Sequence, residues 1–182
     1  MKLDPVYQAI EDRGNPNEVE KDGPIKCCLN AWLGDGYYFW DGFVDCAHWW
    51  GGHHLNNKYM ICQASVEEND ENYLDLFGNT TDMGLFSKSL ALIKSELGRD
   101  DLTVSEAIAF LKEKTGFKKY TVIRAESPNC GSNLPCESVN YVRNNKSRLE
   151  LRRMIQVCVC ERGIVYGYKV IYPEDYVEEW VV

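Results

Sequence analysis

Apolar and polar positions divide the chain into elements. "VYQAI", bounded by Pro5 and by polar residues, alternates as a first strand does. "EDRGNPNEVEKDGP" is dense in Gly, Pro, Asn and Asp and reads as a loop with turns. "GYYFW" follows as a strand, because aromatic side chains suit a half-buried pleated surface. In "DGFVDCAHWWG", Phe43, Ala47 and Trp50 fall on one helical face, with Asp41 as the expected N-cap and Gly51 as the expected stop. "KYMICQASV" and "NYLDLFG" read as strands. "GLFSKSLALIKSELG" sets Leu85, Phe86, Leu90, Ile93 and Leu97 at helical spacing and ends at Gly98. "TVSEAIAFLKEKTG" opens with the capping-box pair Thr103 and Glu106, and Ala107, Ile108 and Leu111 supply its apolar stripe. "KYTVIRA" returns to strand. "ESPNCGSNLPCESVNYVRNNKS" is a polar loop too long for a simple connection. "RMIQVCVCERG" and "IVYGYKVIYP" read as a hairpin or as two sheet strands divided near Gly163. The sum is α+β: mainly antiparallel strands with inserted helices.

Composition narrows the class. A chain of 182 residues with 45% hydrophobic and 26% charged residues fits one globular domain with a full core. No apolar run reaches the ~18 residues of a membrane span, and the N-terminus carries no apolar secretory segment. The expectation is a cytoplasmic protein with no membrane contact. A net charge of −8 argues against general binding to nucleic-acid backbones; "KSRLELRRM" is the basic cluster, read as a solvated face. Eight cysteines form no CxxC pair, so a zinc module is not expected. Cys158 and Cys160 alternate within an apolar run and read as small buried thiols. A metal site built from Cys46, His48, His53 and His54 is the remaining metal alternative, although their spacing fits no known template. His48, between Ala47 and Trp49, reads as a half-buried polar residue or a base, and His53 and His54 as exposed loop residues. Arg124 could grip a pyrophosphate or serve in an ion pair.

The most unusual segment is "LGDGYYFWDGFVDCAHWWGG", Leu33 to Gly52, which holds three Trp, two Tyr, two Phe and five Gly. Glycines ahead of a strand let backbone approach a ligand, and tyrosine faces stack on flat rings. A pocket for a nicotinamide or an adenine would use both, although such aromatics can equally be plain core.

This stretch resembles the second signature of the ADP-ribosyltransferase fold, shared by poly(ADP-ribose) polymerases and related toxins. The matching positions are Gly34, Gly36, Tyr38 and Phe39, followed by Ala47 and Trp50 on the helix. The resemblance implies a single domain over residues 1–182, with a mainly antiparallel sheet split into two halves and the helices around Leu85–Gly116 inserted between them. It implies NAD as a substrate, stacked on Tyr38, with Gly36 and Tyr37 beside it. The family's first signature, a His-Gly or Arg-Gly whose backbone clamps the nicotinamide amide, maps onto Gln8 and Ala9; Arg13 before Gly14 has the right residue types nearby. The third signature carries the catalytic glutamate, and its apolar pattern puts Gln156 there. Glu161 and Glu150 are neighbouring carboxylates that could substitute.

The family's chemistry explains the weight on that position. Breaking the glycosidic bond of NAD builds an oxocarbenium ion, which a carboxylate stabilises. Glutamine can hydrogen-bond the ribose hydroxyl but brings no charge. The resemblance therefore implies an NAD-binding protein that transfers ADP-ribose to a protein or nucleic-acid acceptor, toxin-like or defensive in role. The alternative is a non-catalytic binding module on the same scaffold. The loop ahead of the third signature would face the acceptor, or it is simply solvated.

Overall fold

In the computed structural model, residues 2–27, 31–69, 71–128, 138–143 and 147–177 are described. In chain order the elements are β1 (Lys2–Glu11), α1 (Pro16–Asp22), β2 (Tyr37–Asp41), α2 (Val44–His54), β3 (Tyr59–Glu67), β4 (Tyr73–Asp75), α3 (Thr80–Leu97), α4 (Val104–Lys114), β5 (Val122–Glu126), β6 (Ser138–Asn140), β7 (Arg148–Glu150), β8 (Ile155–Val159) and β9 (Val165–Tyr172). The architecture is mixed α+β. Seven strands form one sheet in the order β4-β5-β8-β2-β1-β3-β9, and β6 and β7 form a separate hairpin. All neighbours in the large sheet are antiparallel except β4 and β5, which are parallel and joined through α3 and α4.

The sheet is not split into the two expected halves, and α3 and α4 connect the neighbouring strands β4 and β5 instead of lying between two half-sheets. The group β4-β5-β8-β2 meets β1-β3-β9 through two register pairs, Val6 with Asp41 and Tyr7 with Trp40. On its other side β1 pairs with β3 from Lys2 to Glu11. The sheet is therefore continuous, with its shortest ladder at the β1–β2 junction.

Side-chain alternation assigns the cores. On one face Tyr7, Trp40 and Ile61 pack with Cys46 and Ala47 of α2. Further along that face, Leu74, Ile123, Ala125 and Cys158 pack under Phe86 and Ile93 of α3 and Ala107, Ile108 and Leu111 of α4. The opposite face buries Val6, Phe39, Ala64, Val66, Val122, Val157 and Val159. Val19 of α1 closes this side over Met60, Cys62 and Val170.

Most element readings hold, with instructive exceptions. The Asn79 side chain caps α3 by accepting from the Thr81 and Asp82 amides, and Gly98, at φ 63°, ends it in the left-handed region. The Thr103–Glu106 capping box of α4 forms in full. The segment read as a loop contains α1, started by Pro16 in the first turn and supported there by Glu18. Asp41 does not cap α2, because its carboxylate is taken by Arg124 at 2.7 Å; Phe43 occupies the N-cap without a side-chain bond. Nor does Gly51 stop α2. A Cβ there would meet the Tyr59 ring, so Gly51 permits close packing and the helix runs on to His54. His53 and His54 accordingly sit on the last turn of α2 and not in a loop. β8 and β9 are sheet strands, not a hairpin: β8 lies between β2 and β5, and β9 borders β3. Part of the long polar loop is the exposed β6–β7 hairpin; residues 129–137 and 144–146 lie outside the described residues.

Candidate functional site

β1 and β2 diverge beyond Tyr7, and a cavity of about 630 Å³ opens beside the divergence. That volume lies within the usual range for small-molecule sites. Its walls include Gln8, Ala9 and Ile10 of β1, Tyr38 and Trp40 of β2, Trp50 and His54 of α2, Gln156 of β8, and the segments carrying Ile25–Cys27, Trp32 and Pro128. Four residues singled out from the sequence, Gln8, Ala9, Tyr38 and Gln156, therefore meet around one hollow.

Backbone direction gives Ala9 its role. The Pro5 carbonyl accepts from the Gly42 amide on the β2 side, and the Asp12 amide donates to the Lys58 carbonyl on the β3 side. Strand alternation then turns the odd residues of this stretch toward β2 and the even ones toward β3. Ala9 has no register partner on β2, so its N–H and C=O point into the gap that the cavity occupies.

Gln8 lines the cavity, and its side-chain amide is engaged within the protein. Its Nε2 donates to the Ile25 carbonyl (2.8 Å) and the Tyr38 carbonyl (3.2 Å). Its Oε1 accepts from the Ile25 amide (2.9 Å) and the Tyr168 hydroxyl (2.8 Å). All four hydrogen-bonding positions of the amide are filled. The side chain sews residue 25 to the end of the β1–β2 ladder.

Tyr38 presents its ring to the cavity while its hydroxyl faces inward. That hydroxyl accepts from the Leu33 amide (2.7 Å) and donates to the Gly34 carbonyl (2.9 Å). Burial raises its pKa well above the ordinary phenol value, so it stays protonated. Across the cavity, Trp50 and His54 stack with centroids 3.9 Å apart. Gln156 is buried, and its Oε1 accepts from the Trp32 indole at 2.8 Å. Among the described residues its amide nitrogen has no protein partner. No Asp or Glu is among the described lining residues, and Lys26, paired with Asp35 at 2.7 Å, is the cation among them.

The other expected residues fall elsewhere. Tyr37 points to the opposite face, against the Val6–Phe39 core, as alternation requires. Gly36 is not a lining residue; a Cβ there would lie 2.6 Å from the Val159 carbonyl oxygen and 2.7 Å from Cys158 Sγ. It lets β2 enter the sheet against β8. Arg13 is exposed and paired with Glu11 at 2.7 Å. Glu161 is exposed beyond the end of β8, and Glu150 lies on the exposed β7, paired with Arg153 at 2.9 Å. Neither carboxylate lines the cavity. Arg124 does not face it either: Asp41 and Asp75 hold its guanidinium at 2.7 and 3.2 Å.

The four-residue metal alternative does not assemble. Cys46 is buried in the core, His48 bonds the Tyr59 hydroxyl at 3.1 Å, His53 bonds the Trp49 carbonyl, and His54 stacks on Trp50. Among the described residues no group of three or more His, Cys, Asp or Glu gathers for a metal. No described helix is long and apolar enough to cross a membrane. Sequence reasoning missed Trp32 and the Ile25–Cys27 edge, and it named Trp50 and His54 without bringing them together in one wall. Trp32 carried a usable signal, an aromatic two residues before the pair Gly34 and Gly36. The others depend on contacts between distant segments. Comparison with protein-family models, curated proteins and solved structures finds no match.

Proposed function

We propose that the chain binds a planar carboxamide-bearing ligand of the nicotinamide type, NAD foremost, and acts as a binding module with little or no transferase activity. The observation that carries this is the meeting of the Tyr38 ring, the outward backbone of Ala9 and the buried amide of Gln156 around one aromatic cavity. A pyridine ring suits the Tyr38 face. A carboxamide suits a strand edge, which offers a donor and an acceptor together. Gln156 offers a neutral donor where an oxocarbenium ion would call for a carboxylate, which supports binding over transfer.

Titration with NAD, nicotinamide and ADP-ribose tests this, read by the fluorescence of Trp32, Trp40 and Trp50 in the cavity wall. NAD and nicotinamide are expected to quench saturably, and Tyr38→Ala to weaken binding at least tenfold. Nicotinamide release from NAD by the wild type should stay at background. Release that depends on Glu150 or Glu161 would favour the transferase alternative. Absence of NAD and nicotinamide binding would remove the proposal.

A further inference from the structure

Behind the cavity floor, where β8 ends under α4, three reactive side chains meet outside the ligand site. Lys112 Nζ lies 2.9 Å from Cys160 Sγ, across 48 residues of chain. Cys158, two residues earlier on the same strand face, is fully buried and donates its thiol to the Gly34 carbonyl, 3.7 Å away. Cys160 itself is only partly buried. No ion pair competes for the Lys112 ammonium among the described residues, so the thiol of Cys160 is its bonded partner.

We propose that Cys160 is a modification site: a thiolate held by the Lys112 ammonium, flanked by the Cys158 thiol, that attacks hydroperoxides. In the step, Cys160 sulfur attacks the terminal peroxide oxygen and the O–O bond breaks. Cys160 becomes a sulfenic acid as the peroxide is reduced to an alkoxide, or to hydroxide from hydrogen peroxide. The leaving oxygen takes a proton from the Lys112 ammonium, which regains one from water. The electrostatics agree. The neighbouring Cys158 thiol and then the Lys112 ammonium lower the Cys160 pKa, against burial and the nearby Glu161 carboxylate. Lys26 adds a further positive charge within range. The contrast is Cys62, which burial pushes up to about 11.

The magnitude follows from two opposing effects. A thiol in its ordinary range is only on the order of 1% thiolate at pH 6.5, and the lowered pKa of Cys160 raises that fraction. Lower basicity reduces intrinsic nucleophilicity by roughly tenfold, with a Brønsted slope of about 0.45. The net gain is roughly five- to tenfold over an unfolded thiol at that pH. The test alkylates the full chain with iodoacetamide at pH 6.5 and reads each cysteine by peptide mass spectrometry. Cys160 should react roughly five- to tenfold faster in the native protein than in urea. Lys112→Met should cut the gain markedly and Lys112→Arg keep most of it. Hydrogen peroxide with dimedone should place the adduct on Cys160. A native rate no faster than the unfolded one, or a dimedone adduct absent from Cys160, would overturn the proposal even if Lys112→Met fails to fold. So would an unchanged rate in a folded Lys112→Met protein.

Discussion

Replacing Gln8 with leucine removes the amide that joins three segments while keeping a buried side chain of similar size. Four hydrogen bonds disappear: two with Ile25, one with the Tyr38 carbonyl and one with the Tyr168 hydroxyl. Each is worth about 1 kcal/mol net, and partners left buried without water cost more. Leucine recovers part of this through apolar burial. The expected loss is about 3–5 kcal/mol, a large share of the roughly 5–15 kcal/mol that holds a domain together. Urea unfolding followed by fluorescence should show a midpoint shift at unchanged slope, and the melting temperature should drop by about 10 °C. A second consequence is local. Residues 25–27 lose their tie to β1, so amide exchange at Ile25 should accelerate by more than the global destabilisation requires. Gln8→Glu is the sharper control, because a carboxylate can accept from the Ile25 amide but cannot donate to its carbonyl. A loss below about 1 kcal/mol in Gln8→Leu, with Ile25 exchange unchanged, would refute the claim that this amide builds the cavity wall.

Tyr38→Phe keeps the ring and deletes the hydroxyl that ties Leu33 and Gly34, so stability should fall by about 1–2 kcal/mol in urea titration while ligand affinity stays within about threefold. Gly36→Ala drives a methyl into the Val159 carbonyl and Cys158 sulfur; the chain should melt at least several degrees lower or accumulate as aggregate, visible by calorimetry and gel filtration. Burial lowers the His48 pKa below its ordinary 6.5, with Asp45 opposing weakly, so the unfolded chain binds more protons there. Its contribution to stability is complete above about pH 6.5 and is lost as pH falls through the lowered value; His48→Gln should flatten the pH dependence of urea midpoints in that window.

Local signals carried much of the fold and little of the site's wiring. The capping box at Thr103, the stop at Gly98 and the alternation in "KYMICQASV" are decided within a few residues, and each appears as read. Asp41 and Gly51 show why the same rules mislead. Both have the right chemistry for helix ends, but one is claimed by Arg124, 83 residues away, and the other by the Tyr59 ring. α1 was hidden because its seven residues sit among turn formers, and its stability comes from docking Val19 on the sheet. At the site, the resemblance to the ADP-ribosyltransferase signatures pointed to Tyr38, Ala9 and Gln156, and the structure places all three around one cavity. That resemblance could not show that Trp32 would reach Gln156 across 124 residues, or that Lys112 would meet Cys160.

Two glutamines frame the cavity, and their different states decide what chemistry it supports. Gln8 must donate to the Ile25 carbonyl and accept from the Ile25 amide at once, which a neutral primary amide does and a carboxylate does not. The residue at that position is therefore explained by architecture alone. Gln156 is under a weaker constraint: among the described residues its side chain is bonded by Trp32 alone, at an oxygen, where a carboxylate would accept equally well. Architecture does not require an amide there, so the amide matters for what lies in the cavity. An Nε2 donor without a partner among the described residues favours an uncharged oxygen acceptor, such as a carboxamide or a ribose hydroxyl, over a cationic centre. Gln156→Glu preserves the Trp32 bond and the volume while placing a negative charge beside the ligand. With NAD bound, that variant should release nicotinamide faster than the wild type, followed by chromatography of the products. Equal rates, with NAD affinity intact, would mean that the ribose lies away from β8 and that the orientation inferred from Tyr38 and Ala9 is wrong.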